Sequence, residues 1–313
     1  MKFFTYICIC FTLLALPLEA KRDIDLAKVY SEKLRSTQII STPLIYDHYH
    51  ESVPKQYGKK LYKKPIQIFT SVFNGAVNFS YSIFKDSFKI SNSSFEKEFT
   101  ASWDIFENDF LISYGSFLGN TYFSNNLFNK QFHIFNVNFE KDISFYSSKF
   151  QGKSTINNVF FEGNADFSDV IFFEEINFDN SFFKNNTEFV NVIFKHNLSF
   201  SNAEFTKTLN LSHVTFFKNV SFRNTRLPEM IDFSYSIIKE GKIDLTHTKL
   251  RHHNTKTKIN LIGADLDKIT LNYADFKLYF PKYTSHDLKV QTYNKLLNHF
   301  ASTQDKKVII FSI

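Results

Sequence analysis

From Phe79 the chain divides into fifteen consecutive eleven-residue units without an insertion. Position one of these units holds Phe79, Ile90, Ala101, Ile112, Phe123, Ile134, Phe145, Ile156, Phe167, Phe178, Phe189, Phe200, Leu211, Phe222 and Phe233. Position six holds Phe84, Phe95, Phe106, Phe117, Phe128, Phe139, Phe150, Phe161, Phe172, Phe183, Phe194, Phe205 and Phe216, then Leu227 and Ile238. The apolar spacing therefore alternates five, six, five, six. An α-helix with its 3.6-residue turn cannot keep such a pattern on one face. Phe, Ile, Val, Ser, Thr and Asn dominate the stretch, as they do in extended chain. With 40 Phe and 43% hydrophobic residues, the chain can fill a core, which excludes a wholly disordered protein. A fixed period of this kind predicts an all-β solenoid.

Two residues before each position-six side chain stands a small or β-branched residue, with few exceptions: Ser82, Ser93, Gly115, Ser148, Val159, Val170, Ser181, Val192, Ala203 or Val214. A large and a small residue two apart share one face of an extended segment. A coil of eleven residues is too short to enclose two Phe rings. A coil of twenty-two residues gives four sides and four large inward residues, with fifteen units making seven to eight coils. At about 4.8 Å per coil the stack would be about 35 Å long. Position-three residues then fall into two columns. One, Asn92, Tyr114, Asn136, Asn158, Asn180, Asn202 and Asn224, predicts an amide ladder along one corner. The other runs Tyr81, Trp103, Asn125, Ser147, Asp169, Asn191, His213, Tyr235. Asn tolerates the left-handed backbone that tight corners need, which explains how a chain with 8 Gly can turn so often.

The phase slips after Ile238. Leu245 and Leu250 resume it, and 251–260 reads as a loop insertion. The chain then gives Ala264-Asp265-Leu266-Asp267-Lys268, Ile269-Thr270-Leu271-Asn272-Tyr273 and Ala274-Asp275-Phe276-Lys277-Leu278. The first and third match the A-(D/N)-(L/F)-x-x unit of the pentapeptide-repeat family; the second keeps the spacing without the Ala-Asp pair. The Phe-rich units upstream resemble the Phe-type branch of that family, and the resemblance spans 79–278. It implies a right-handed quadrilateral parallel β-helix of a type commoner in bacteria. It implies little about activity, because the repeat residues build the scaffold.

The first twenty residues read as a secretory signal. Lys2 opens it, Phe3 to Leu16 form the apolar stretch, and Leu18-Glu19-Ala20 is the cleavage end. An uncleaved anchor is the alternative reading. Both cysteines, Cys8 and Cys10, lie inside this segment, so the mature chain is expected to carry no disulfide and no Cys–metal site. The chain is expected in the periplasm, on the cell surface or in the medium. Residues 21–78 read as an N-terminal extension and cap, with a short helix from Asp23 to Arg35 and a linker or irregular cap from Thr42 to Pro65. Residues 285–303 read as an amphipathic capping helix, with Ser285 as N-cap and Leu288, Tyr293, Leu296, Leu297 and Phe300 at helical spacing. The tail 304–313 ends in the apolar run Val308 to Ile313.

Residues 79–243 carry a net charge of −4, while 21–78 and 244–313 each carry +5, giving the chain its +6. The basic ends could touch an anionic surface. Asp47-His48-Tyr49-His50-Glu51 and His252-His253 offer metal-ligand residue types but no third fixed ligand, and a solvated loop is the simpler reading of both. Tyr81 and Trp103 should be neighbours on adjacent coils at a corner, either anchoring a partner or covered by the cap. Arg251, Lys256 and Lys258 could meet phosphate or anionic lipid. Asn-x-Ser/Thr occurs at Asn78, Asn92, Asn185, Asn197, Asn210 and Asn219, triplets that an Asn- and Ser-rich repeat generates by itself.

No catalytic motif is present in the sequence, and no cofactor, metal or small-molecule substrate is expected. The leading expectation is an exported non-enzymatic scaffold that binds a macromolecular partner through its outward columns. The resemblance raises a second reading. Some pentapeptide-repeat proteins that protect type II topoisomerases present a DNA-like acidic rod. Here the rod is only mildly acidic and the leader points away from DNA, which disfavours a nucleic-acid enzyme as partner. A third reading is a β-helix enzyme or binder of polysaccharide. Its long loops and clustered Asp, Arg or His are missing from the fifteen units.

Overall fold

The computed structural model describes residues 38–303, apart from 41, 43, 48, 49, 52, 53 and 252–254. Within them the chain is an all-parallel β-solenoid of about ten coils, with one α-helix at its C-terminal end. It runs repeatedly through four sheets. The first opens with Gln38–Ile40 and has 10 strands, and the second opens with Leu44–Asp47 and has 11. The third opens with His50–Glu51 and has 8, and the fourth opens with Lys55–Gln56 and has 11. Partners lie one coil apart, so that Phe88 pairs with Phe110 and Phe106 with Phe128.

The interior is a set of ring stacks. Every position-six Phe from Phe84 to Phe216, and Phe79, is fully buried. Phe84 stacks on Phe106 at 4.7 Å and 5°, and Phe183 on Phe205 at 4.6 Å and 9°. Burying one such side chain contributes about 1.5–3 kcal/mol. Four large inward residues per coil is too few, however. The residue two before position one also points inward, as at Phe88, Phe99, Phe110 and Phe132, all fully buried. Phe88, Phe110 and Phe132 open four-residue strands of the second sheet, and Phe99 opens a strand of the fourth. In Phe88–Ser91 the side chains alternate, with Phe88 and Ile90 inside and Lys89 and Ser91 outside.

Among the described residues seventeen non-glycine residues have positive φ, spaced eleven apart from Lys59 to Tyr235. They are the position-three residues, and they make two of the four corners. Eight of the seventeen are Asn, consistent with its tolerance of the left-handed region. Thr70, with φ 49°, is β-branched and carries the steric cost of that region. Thr70→Asn is therefore expected to stabilise the fold by about 1 kcal/mol, seen as a rise in the denaturation midpoint. An unchanged midpoint would show that this corner is not strained.

Exposed ion pairs follow the same register. Lys85 pairs with Glu107, Lys153 with Glu175, Lys184 with Glu162, Arg226 with Glu204 and Lys218 with Glu240, each to the residue one coil away. Such pairs are individually weak.

The boundaries differ from the sequence expectation at both ends. Among the described residues strands begin at Gln38, so the described part of 38–78 belongs to the coils rather than to an extension or linker. Tyr57 and Tyr62 stand one coil before Phe79 and Phe84 and stack on them at 4.7 Å and 5.0 Å. Their hydroxyls find polar partners inside. Tyr62 donates to the Tyr57 carbonyl at 2.6 Å, and the Tyr57 hydroxyl meets that of Tyr46 at 2.7 Å. At the other end, Thr257–Asn260 is a strand between Met230–Asp232 and Phe276–Leu278, so the loop is shorter than 251–260. Beyond its eighth strand the third wall continues as single bridges, Glu204 to Arg226 and Arg226 to Lys249, and Pro228 has no N–H to give where Thr206, one coil before, donates to the Phe183 carbonyl. After Gly263 the corners become 3-10 turns at Leu266–Lys268 and Tyr273–Asp275.

Helix α1 spans His286–Thr303. Ser285 Oγ accepts the Leu288 N–H at 3.3 Å, a side-chain N-cap. Leu296 and Thr292 are buried and Leu288 is half-buried, whereas Tyr293 and Leu297 face outward. His299 lies 3.6 Å from Asp267, beside the 3-10 turn. The expected signal (1–20), the helix Asp23 to Arg35, the Phe300 side chain and the tail 304–313 lie outside what is described.

Candidate interaction surface and an interior polar column

Tyr81 and Trp103 occupy left-handed corners with φ 64° each. That backbone turns their side chains outward, one coil apart. The rings are parallel to within 5°, with centroids 6.2 Å apart, and Tyr81 is 42% exposed. Ile83 and Ile105 follow them on the outer side of the first sheet, and the Lys85–Glu107 pair comes next. The other left-handed corner carries Tyr114, whose ring meets Phe135 edge-on at 5.4 Å. Phe160 and Phe182 stand on the outer side of the third sheet at 6.3 Å.

The basic residues near the insertion do not join this aromatic corner, since they belong to the last coils. Arg251 donates to Glu229 at 2.7 Å and to the Thr206 carbonyl at 3.3 Å. The Arg251 hydrogen bond, with Lys207 nearby, holds the Glu229 carboxyl below the usual range. Lys258 lies over the Tyr279 ring at 6.0 Å, and Lys256 is exposed.

The expected amide ladder is replaced by something simpler. Within that column one amide-to-amide rung forms among the described residues, from Asn158 to Asn136. Asn180 donates instead to Asn157 at 3.3 Å. Asn92, Asn202 and Asn224 share the corner conformation, with φ 50°, 57° and 57°. Backbone geometry, rather than side-chain pairing, accounts for Asn here.

His48, Tyr49, His252 and His253 lie outside the described residues. Among the described residues no three His, Cys, Asp or Glu side chains gather as metal ligands. Several Asn of the Asn-x-Ser/Thr triplets are engaged in turn bonds. Asn78 accepts the Ser80 N–H at 2.8 Å, Asn185 donates to the Glu162 carbonyl at 2.7 Å, and Asn197 accepts the Asn219 N–H at 3.2 Å. On the fourth sheet Asp166, Glu188 and Asp232 face outward. Partial burial raises the Glu188 pKa, an effect the Asn210 hydrogen bond opposes and the two Asp charges reinforce.

One interior column was invisible as chemistry in the sequence. Its members lie two before position six on the side of the Tyr81 corner. The Lys60 N–H is accepted by Ser82 Oγ at 3.1 Å, and the Ser82 N–H by Asp104 Oδ1 at 2.6 Å. The Asp104 N–H is accepted by Asn126 Oδ1 at 2.8 Å, and the Asn126 N–H by Ser148 Oγ at 3.0 Å. Asp104 and Asn126 are the exceptions to the small-residue rule, and both are 0% exposed. Burial pushes the Asp104 carboxyl well above the usual range, against the opposing Ser82 N–H. Burial, with Asp104 as a secondary cause, likewise raises Tyr62. No protein-family model, curated protein or solved structure matches this chain.

Proposed function

We propose that the chain is an exported, non-enzymatic scaffold of the pentapeptide-repeat type that presents a rigid β-helical surface to a macromolecular partner. The division of labour between columns supports this reading. Inward positions repeat coil after coil, while outward positions vary freely and share one rigid frame. The leader-like first twenty residues support export. The observation that carries the reading is the Tyr81–Trp103 pair, two parallel rings at one corner, with Tyr81 exposed and Trp103 half-buried. Tyr and Trp are the residue types that most often anchor interfaces. A rigid backbone also lowers the ordering cost of binding.

The test compares the full chain with a Tyr81→Asn, Trp103→Asn double variant, Asn being the residue these corners favour. Affinity capture from envelope, host and matrix fractions should enrich a component on the full chain. The double variant should bind that same component about tenfold or more weakly, with unchanged thermal stability. Enrichment of nothing over a denatured control, or equal binding by the variant, would defeat the proposal.

A further inference from the structure

Two members of the interior column, Asn126 and Ser148, are wired twice, and Asp104 matches them only if it carries a proton. Asn126 accepts the N–H of Asp104 on Oδ1, and its Nδ2 donates to the Ala101 carbonyl at 2.6 Å. Ser148 accepts the N–H of Asn126, and its Oγ donates to the Phe123 carbonyl at 2.9 Å. Both donations reach back 25 residues, to position one of the preceding coil. In the corresponding column at the opposite corner two hydroxyls do the same, while Ser71 and Ser93 donate to the nearby carbonyls of Phe69 and Ser91. Ser181 Oγ donates to the Ile156 carbonyl at 3.1 Å and Thr225 Oγ1 to the Phe200 carbonyl at 2.7 Å.

Asp104 follows the first half of the rule, with Oδ1 accepting the Ser82 N–H. Its Oδ2 is buried and has no hydrogen-bond partner. The carbonyl in the equivalent place is that of Phe79. Two acceptors brought together there would repel, and an ionised carboxylate has nothing to donate. A protonated Oδ2 completes the same bond that the Asn126 amide makes one coil later. We infer that Asp104 is held as a neutral carboxylic acid whose Oδ2–H bonds the Phe79 carbonyl, and that its ionisation opens the contact between the coils of Phe79 and Asp104.

The surroundings agree. Asp104 is the sole Asp, Glu, Lys, Arg or His among the fully buried described residues. The titratable groups facing it are tyrosines: Tyr62, bonded to the Tyr57 carbonyl, and beyond it the Tyr57–Tyr46 hydroxyl pair. The nearest cation along the column, Lys60, stands two coils away with its ammonium 5.9 Å from the Tyr57 ring centroid. Lys85 and Glu107 pair with each other on the outside of the same coils. Among the described residues no counter-charge therefore compensates an ionised Asp104, and burial raises its pKa.

The sign follows from proton counting. The closed state keeps a proton that the opened state, with an ordinary Asp pKa of about 3.9, has already lost. Stability from this group is complete below that value and is lost as pH rises through the raised folded-state pKa. Between the two, the opening constant grows about tenfold per pH unit. The solenoid is thus held more tightly in acid at this level.

Hydrogen exchange on the full chain and on Asp104→Asn tests this. The Asn side chain supplies the donor to Phe79 without a proton, as Asn126 does for Ala101. From about pH 5 upward, protection of the Ser82 and Asp104 amides relative to the variant should fall about tenfold per unit until the folded-state pKa. At neutral pH the variant should be the better protected. A pH-independent ratio, or a variant less protected than the natural chain, overturns the inference. Should the variant fail to fold, carboxyl carbon NMR of the natural chain decides. One Asp must remain neutral far above the ordinary range, and ionisation of every Asp by about pH 5 overturns the inference equally.

Discussion

Replacing Phe128 with alanine is expected to lower the unfolding free energy by about 3–5 kcal/mol. Phe128 has ring neighbours on four sides. It stacks on Phe106 at 4.9 Å and on Phe150 at 4.8 Å, and meets Phe110 at 5.2 Å and Phe132 at 4.7 Å edge-on. The backbone rungs above and below fix the coil spacing, so the cavity left by the ring cannot close by sliding the coils together. Phe128→Leu is the informative control, because Leu227 occupies position six of a later eleven-residue unit, on the opposite wall of the tube. It keeps most of the buried area and loses the ring contacts, and should cost about 1 kcal/mol. Denaturant titration of the three proteins measures both values. A loss below about 1 kcal/mol for the Ala variant would show that the interior rearranges freely, contrary to a register fixed by hydrogen bonds.

The second large effect is expected at Asn126. Asn126→Ala leaves the Asp104 N–H without its acceptor and the Ala101 carbonyl without its donor, both inside the tube. An orphaned buried polar group costs about 1–3 kcal/mol, so a total loss of about 2–4 kcal/mol is expected. Asn126→Ser should recover most of it, since Ser148 performs the same two tasks with a single hydroxyl one coil later. Equal stability of the Ala and Ser variants would mean that water enters the column and the wiring carries no weight.

The sequence exposed the central architecture because one side-chain type marked one backbone place. Phe at positions one and six gave the coil length, the four walls and the neighbours Tyr81 and Trp103. The early coils were hidden because Tyr57 and Tyr62 replace Phe and carry hydroxyls, which read as surface chemistry until their interior partners are seen. Thr257–Asn260 was hidden by the preceding excursion, which breaks the eleven-residue phase without breaking the tube. The Asn column is ambiguous in the sequence, because the same amide that could form a ladder also tolerates positive φ. Asp104 and Asn126 are illegible for a related reason. Their positions mostly hold Ser or Val, and a carboxyl among them signals nothing until the distance to a carbonyl 25 residues back is known.

Near-identical coils pose a threading problem, since any Phe-lined turn could settle on a turn other than its own neighbour. The exposed ion pairs discriminate against that error. If one turn were skipped, Lys85 would face Asn129, Glu162 would face Thr206, and Lys207 would be brought against Arg251. Each correct pair is worth about 0–1 kcal/mol, little for holding the finished tube together, yet their sum penalises a chain that has miscounted its own turns.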